Sequence, residues 1–78
     1  MREYFVNYRS ITKAQRALRA LERQGIAASL QRTPQAARQN GCGYSIRLSE
    51  REFLRARPLP PGYDSVLVKT GQLWEAVP

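Results

Sequence analysis

Glu3-Tyr4-Phe5-Val6-Asn7-Tyr8-Arg9-Ser10-Ile11-Thr12-Lys13-Ala14 contains the change of period that decides the fold. Up to Tyr8 the pattern has a period of two, with Tyr4, Val6 and Tyr8 on one face of a strand and Glu3, Phe5 and Asn7 on the other. From Ser10 it becomes helical. Ser10 stands where an N-cap should stand, its hydroxyl able to accept a bond from an unpaired N–H of the first turn. Ile11, Ala14, Leu18 and Leu21, with Ala17 alongside, then form one apolar stripe, while Lys13, Gln15, Arg16, Arg19, Glu22 and Arg23 point elsewhere. The helix is expected to run to about Gln24, with Gly25 as the left-handed residue that ends it.

The rest of the chain extends this beginning. Ile26 to Arg32 predicts a second strand with Ile26, Ala28 and Leu30 on one face, stopped by Thr33-Pro34 because proline has no N–H to donate. Pro34 to Asn40 predicts a loop or a single helical turn. Tyr44 to Leu48 predicts a third strand with Tyr44, Ile46 and Leu48 facing the core. Ser49-Glu50-Arg51-Glu52 matches a capping box, with serine and glutamate satisfying each other's backbone donors, so a short second helix ending before Pro58 follows. After the stiff Pro58–Gly62 connection, Ser65 to Lys69 and Gln72 to Val77 predict two strands joined through Thr70-Gly71. Leu73 and Trp74 point to opposite sides there, so one of them is expected to cover a core edge.

This order is that of a ferredoxin-like α+β sandwich, βαββαβ, with an additional C-terminal hairpin strand. The 78 residues are read as one domain: a βαββα core over 1–57, the proline-rich connection 58–62 and the C-terminal hairpin 63–78. So short a chain stabilises a core with difficulty, and a homodimer would help it. Without histidine and with Cys42 as the sole cysteine, neither an internal disulfide nor a structural zinc site can be built, and no metal or cofactor is expected. The first residues lack the apolar run of a signal peptide and no stretch has the length of a membrane span. A cytoplasmic setting that keeps the thiol reduced is the expectation.

Thirteen Lys and Arg against six Asp and Glu give a formal charge of +7, all but Lys13 and Lys69 of the cations being arginine. The excess points to an anionic partner, whether RNA, an acidic protein or a small anion, although any single arginine is more simply a solvated surface residue.

Asn40-Gly41-Cys42-Gly43-Tyr44 holds the best candidate for chemistry. Gly41 and Gly43 leave Cys42 accessible. In the expected topology the third strand runs against the first, so Cys42 would lie near Arg9, Ser10, Ile11 and Thr12, with Arg32 and Thr33 on the other side. A helix N-terminus and nearby arginines favour a thiolate and suit a small anion. The plain alternative is that Cys42 packs as a small apolar residue.

The series Tyr8-Arg9-Ser10-Ile11-Thr12-Lys13-Ala14, then Leu18 to Gln24, Gly25-Ile26, Arg32-Thr33-Pro34 and Cys42-Gly43-Tyr44-Ser45-Ile46-Arg47-Leu48, resembles the selenium/sulfur (Se/S) carrier protein-like family of small bacterial proteins. The resemblance covers roughly the first fifty residues, and the proline-rich Pro58–Pro61 departs from it. It implies that Cys42 carries sulfur or selenium as a persulfide or selenosulfide between donor and acceptor proteins. Arg9, Ser10, Thr12, Arg32 and Thr33 would then hold the terminal anion. Such a carrier is not an autonomous enzyme, and the absence of paired carboxylates and of a Cys-His pair agrees with that reading.

The alternative is a basic binding module without thiol chemistry. RNA-recognition domains share this topology, and Gly41-Cys42-Gly43-Tyr44 resembles part of their third-strand signature. Cys42 and Arg47 stand where that signature has aromatics, however, and Tyr44 belongs to the core face. Phe5 and Arg47, expected on an exposed sheet face, are the residues that would bind RNA or a second copy.

Overall fold

Strand β1 (Arg2–Tyr8) is the middle of the sheet in the computed structural model, which describes residues 2–33, 43–56 and 58–77. It is followed by helix α1 (Ile11–Arg23), strands β2 (Ser29–Arg32) and β3 (Tyr44–Ser49), helix α2 (Glu50–Arg55), and strands β4 (Ser65–Thr70) and β5 (Leu73–Ala76). The strands form one five-stranded antiparallel sheet in the order β2-β3-β1-β4-β5. The α+β class, the placing of β3 against β1 and the extra hairpin strand are as the sequence predicts. Pro34 to Asn40, expected as a loop or turn, lies outside the described residues.

Alternation along β1 explains its two buried faces. Tyr4, Val6 and Tyr8 pack with Ile46 and Leu48 of β3, Val66 of β4, Ala14, Ala17 and Leu21 of α1, and Phe53 and Ala56 at α2. Both helices therefore cover this side. The Tyr4 and Phe53 rings stack with centroids 3.9 Å apart and planes 4° from parallel, a contact that contributes about 1 kcal/mol beyond the area it buries. Ile11, the first residue of α1, departs from the expected stripe: it is 43 % exposed, and the buried stripe begins at Ala14 and Ala17.

Local hydrogen bonds set the element boundaries. Ser10 Oγ accepts from the N–H of Lys13 at 3.4 Å, the cap expected from the sequence. At the other end Gly25 takes φ +75°, its N–H donating to Glu22 and that of Ile26 to Leu21, a Schellman closure. Ile26 is thereby committed, and the N–H of Ala27 donates to Glu52 Oε2 at 3.0 Å. These two donors are lost to a ladder, so β2 begins at Ser29 rather than at the expected Ile26.

The capping box is correspondingly only half formed. Ser49 Oγ accepts from the N–H of Glu52 at 3.2 Å, but the Glu52 carboxylate turns to Ala27 and to Arg55 instead of back to Ser49. It joins α2 to the chain leading into β2. The hairpin turn is also shifted by one residue from expectation: Thr70 pairs with Leu73, leaving Gly71 and Gln72 as its two central residues. Gly71 has φ +61°, the positive value that a two-residue hairpin requires there.

Candidate functional site

The face of the sheet away from the helices is not the open surface expected of it. Phe5 is 3 % exposed, which overturns its reading as an exposed binding residue. The reason lies in β5, whose Trp74 is in register with Lys69 and sits on the Phe5 side of the sheet. Its ring meets that of Phe5 at 4.9 Å and 52°, and Leu67, the cross-strand partner of Phe5, is buried with it. Trp74, not Leu73, is thus the residue that covers a core edge. Arg47 does remain exposed opposite Phe5, where it pairs with Glu3 at 3.3 Å.

Next to this apolar patch runs a row of small polar side chains, one from each successive strand or strand end. Thr33 Oγ1 and Ser45 Oγ are 2.7 Å apart, Ser45 Oγ donates to Asn7 Oδ1 at 2.6 Å, and Asn7 Nδ2 donates to Ser65 Oγ at 3.1 Å. A serine hydroxyl has one hydrogen. Since that of Ser45 goes to Asn7, the Thr33 hydroxyl must be the donor in the first contact, so the row has a single direction from β2 to β4. Thr33, Ser45 and Asn7 are almost completely buried; unpaired at that depth, each group would cost about 1–3 kcal/mol. The sequence reading named Thr33 for anion binding and missed Asn7 and Ser65. The signal was available in the small polar residues at facing positions Asn7, Ser45 and Ser65, but only a known register aligns them.

The row ends where β3 begins. Thr33 donates its N–H to the Gly43 carbonyl at 3.0 Å, and Arg32 pairs with Tyr44. On the other side Tyr44 is the partner of Tyr8, which leads through Arg9 to the Ser10 cap of α1. The start of β3 is thus bracketed by the end of β2 and the end of β1. Cys42 and Gly41 lie outside the described residues; Cys42 is the chain neighbour of Gly43.

Several of the residues expected to hold an anion have other partners. Arg9 is tied to Asp64 twice, its N–H donating to Oδ2 at 3.0 Å and its Nε lying 3.5 Å from Oδ1. Thr33 has both donors committed, one to Gly43 and one to Ser45. Arg32 lies with its guanidinium 5.9 Å from the centre of the Tyr44 ring. Ser10 uses an oxygen lone pair for its cap and retains its O–H as a donor, while Thr12 is exposed in the first turn. Deeper in, burial and then the neighbouring Tyr63 push the Tyr8 phenol from 10.0 up to about 12, so it stays neutral.

Among the described residues no group of His, Cys, Asp and Glu could hold a metal ion, and no helix is long and apolar enough to cross a membrane. Comparison with curated proteins and with solved structures yields no match. A family model does match, over residues 3–59, and its description is "putative Se/S carrier protein-like". That span takes in β1 through α2 and both glycines flanking Cys42. The chain belongs to this Se/S carrier protein-like family.

Proposed function

We propose that the protein carries sulfur or selenium on Cys42 between partner proteins. Family membership is the observation that carries this reading, and a carrier must meet both a donor and an acceptor. The chain's own residues support it in two ways. Cys42 is the single thiol, so transfer is intermolecular and no resolving cysteine competes. Its neighbour Gly43 is anchored by Thr33, itself locked by the buried row, so the start of β3 is a firm base for a reactive residue.

The chemistry needs no oxidant. The Cys42 thiolate attacks the outer sulfur of a donor persulfide; a new S–S bond forms to Cys42, the donor's S–S bond breaks, and the donor leaves as a thiolate with the electron pair. The acceptor's thiolate then repeats the step on the outer sulfur of Cys42. With selenium, the outer atom is exchanged in the same way. Ser10, Thr12 and Arg32, with Arg9 if Asp64 releases it, are the groups we assign to the anionic terminal atom, and Gly41 and Gly43 to access. Thr33 acts through the backbone by holding Gly43.

The test is the pH dependence of Cys42 alkylation in the folded protein, with mass spectrometry after exposure to a small persulfide donor. A thiol pKa well below about 8.5, one added sulfur atom and its loss to an acceptor thiol are expected. A thiol of ordinary pKa that gains no sulfur would remove the carrier reading. A basic binding module is the second reading, favoured by the cations of α1 that make no ion pair among the described residues.

A further inference from the structure

Lys13, Arg16, Arg19 and Arg23 follow one another on α1 at spacings of three and four, so they share one side of the helix. All four are exposed, and none has an ion-pair partner among the described residues. Four of the six carboxylates are engaged elsewhere: Glu50 with Arg2, Asp64 with Arg9, Glu3 with Arg47 and Glu52 with Arg55. Glu22, the one carboxylate of α1, is three residues from Arg19 and away from Lys13, and it makes no ion pair with the four cations among the described residues.

Along this stripe runs a cleft of about 350 Å³ between α1 and the proline-rich connection. Lys13, Arg16, Ala17 and Ala20 form one wall; Pro60, Pro61 and Gly62 form the other. Two alanine methyls, two proline rings and the stems of the cations make it apolar below a charged rim. Gly62, at φ +100°, lets the chain close on Lys13, whose Cδ would lie 3.8 Å from a Cβ at that position. Adjacent prolines fix the far wall, so little conformational freedom is lost on binding.

We propose that this cleft docks an acidic segment of another protein, with one apolar side chain seated in the cleft, carboxylates on the Lys13 and Arg16 rim, and further carboxylates reaching Arg19 and Arg23 beside it on α1. The lining decides the class of partner. Among the described residues it has no aromatic ring on which an RNA base could stack. Its prolines offer no N–H and it contains no hydroxyl, so beyond the charges little would fix a free phosphate. A second copy of the chain would bring the same cations against themselves. An acidic segment with an apolar anchor fits both charge and groove. This inference does not depend on Cys42.

The experiment uses the full chain, isotopically labelled, and a short fluorescein-labelled peptide of glutamates and serines around one leucine. Controls are the same peptide with leucine changed to serine, and a single-stranded oligouridylate of equal charge. Binding by anisotropy with amide shifts on α1 and Gly62 is expected. Replacing the leucine, or introducing Arg16→Glu at its exposed site, should each weaken binding about tenfold. Ala20→Phe keeps every cation but fills the cleft, and should abolish the preference for leucine. Cys42→Ser should bind as the unaltered protein does. Shifts elsewhere on the surface, no preference for leucine, oligouridylate bound more tightly than peptide, or loss of binding in Cys42→Ser would each overturn the proposal.

Discussion

Asn7, Ser45 and Tyr8 show how much single residues depend on what surrounds them. Ser45 is 0 % exposed and bonded on both sides. Ser45→Ala should therefore cost about 1–3 kcal/mol, read from urea unfolding, because it removes the donor to the buried Asn7 carbonyl oxygen and the hydroxyl that Thr33 contacts. A loss below about 0.5 kcal/mol would mean that the row contributes little. Tyr8 makes a separate prediction in pH. Folded, it keeps its proton to about pH 12; unfolded, it releases it near 10.0. A raised folded pKa contributes stability that is complete below the unfolded value and lost as pH rises through the folded one. Unfolding free energy should thus fall between pH 10 and 12, and Tyr8→Phe should flatten that fall. An equal slope in the variant would assign it to other groups.

At the scale of elements, two glycines separate backbone need from access. Gly25 has φ +75° with open space around its Cα, so only conformation argues for it. Gly25→Ala should destabilise by about 1–2 kcal/mol, measured by thermal or urea unfolding. Gly43 also has open space but no positive φ. Gly43→Ala should leave stability within about 0.5 kcal/mol, so any slowing of Cys42 alkylation in that variant reports steric access alone. The pair would contradict this account if their stability effects were equal. Glu52 makes a related point: a residue placed for a capping box instead links α2 to Ala27, a reach that local pattern cannot show.

Across the whole molecule, β5 makes the sheet two-sided. Trp74 closes over Phe5 from a hairpin more than sixty residues away in the chain, with Lys69 Nζ 5.4 Å from the centre of its ring. It is itself only half-buried, so Trp74→Ala should cost about 2 kcal/mol rather than the full value of a core aromatic. Exposure of Phe5 should follow, visible as binding of an apolar dye to the folded variant. A variant of unchanged stability that binds no dye would show that other contacts bury Phe5.

The order of strands and helices, the Ser10 cap, the Gly25 stop and the pairing of β3 with β1 were determined by the sequence itself, although the start of β2 and the position of the hairpin turn were not. Each follows from a period, a cap or a turn residue acting over a few positions, and the strand order from the few ways such elements can pack. The residues that resemble the Se/S carrier family were also legible, because Arg32-Thr33 and Cys42-Gly43-Tyr44 are contiguous runs. What only the tertiary structure decided are events between distant segments: the burial of Phe5 under Trp74, the directed row from Thr33 to Ser65, the capture of Arg9 by Asp64, and the cleft that Pro60 and Pro61 make with α1. Burial and hydrogen bonding at these places depend on the register between strands and on contacts between segments far apart in the chain, and composition and period carry no record of either.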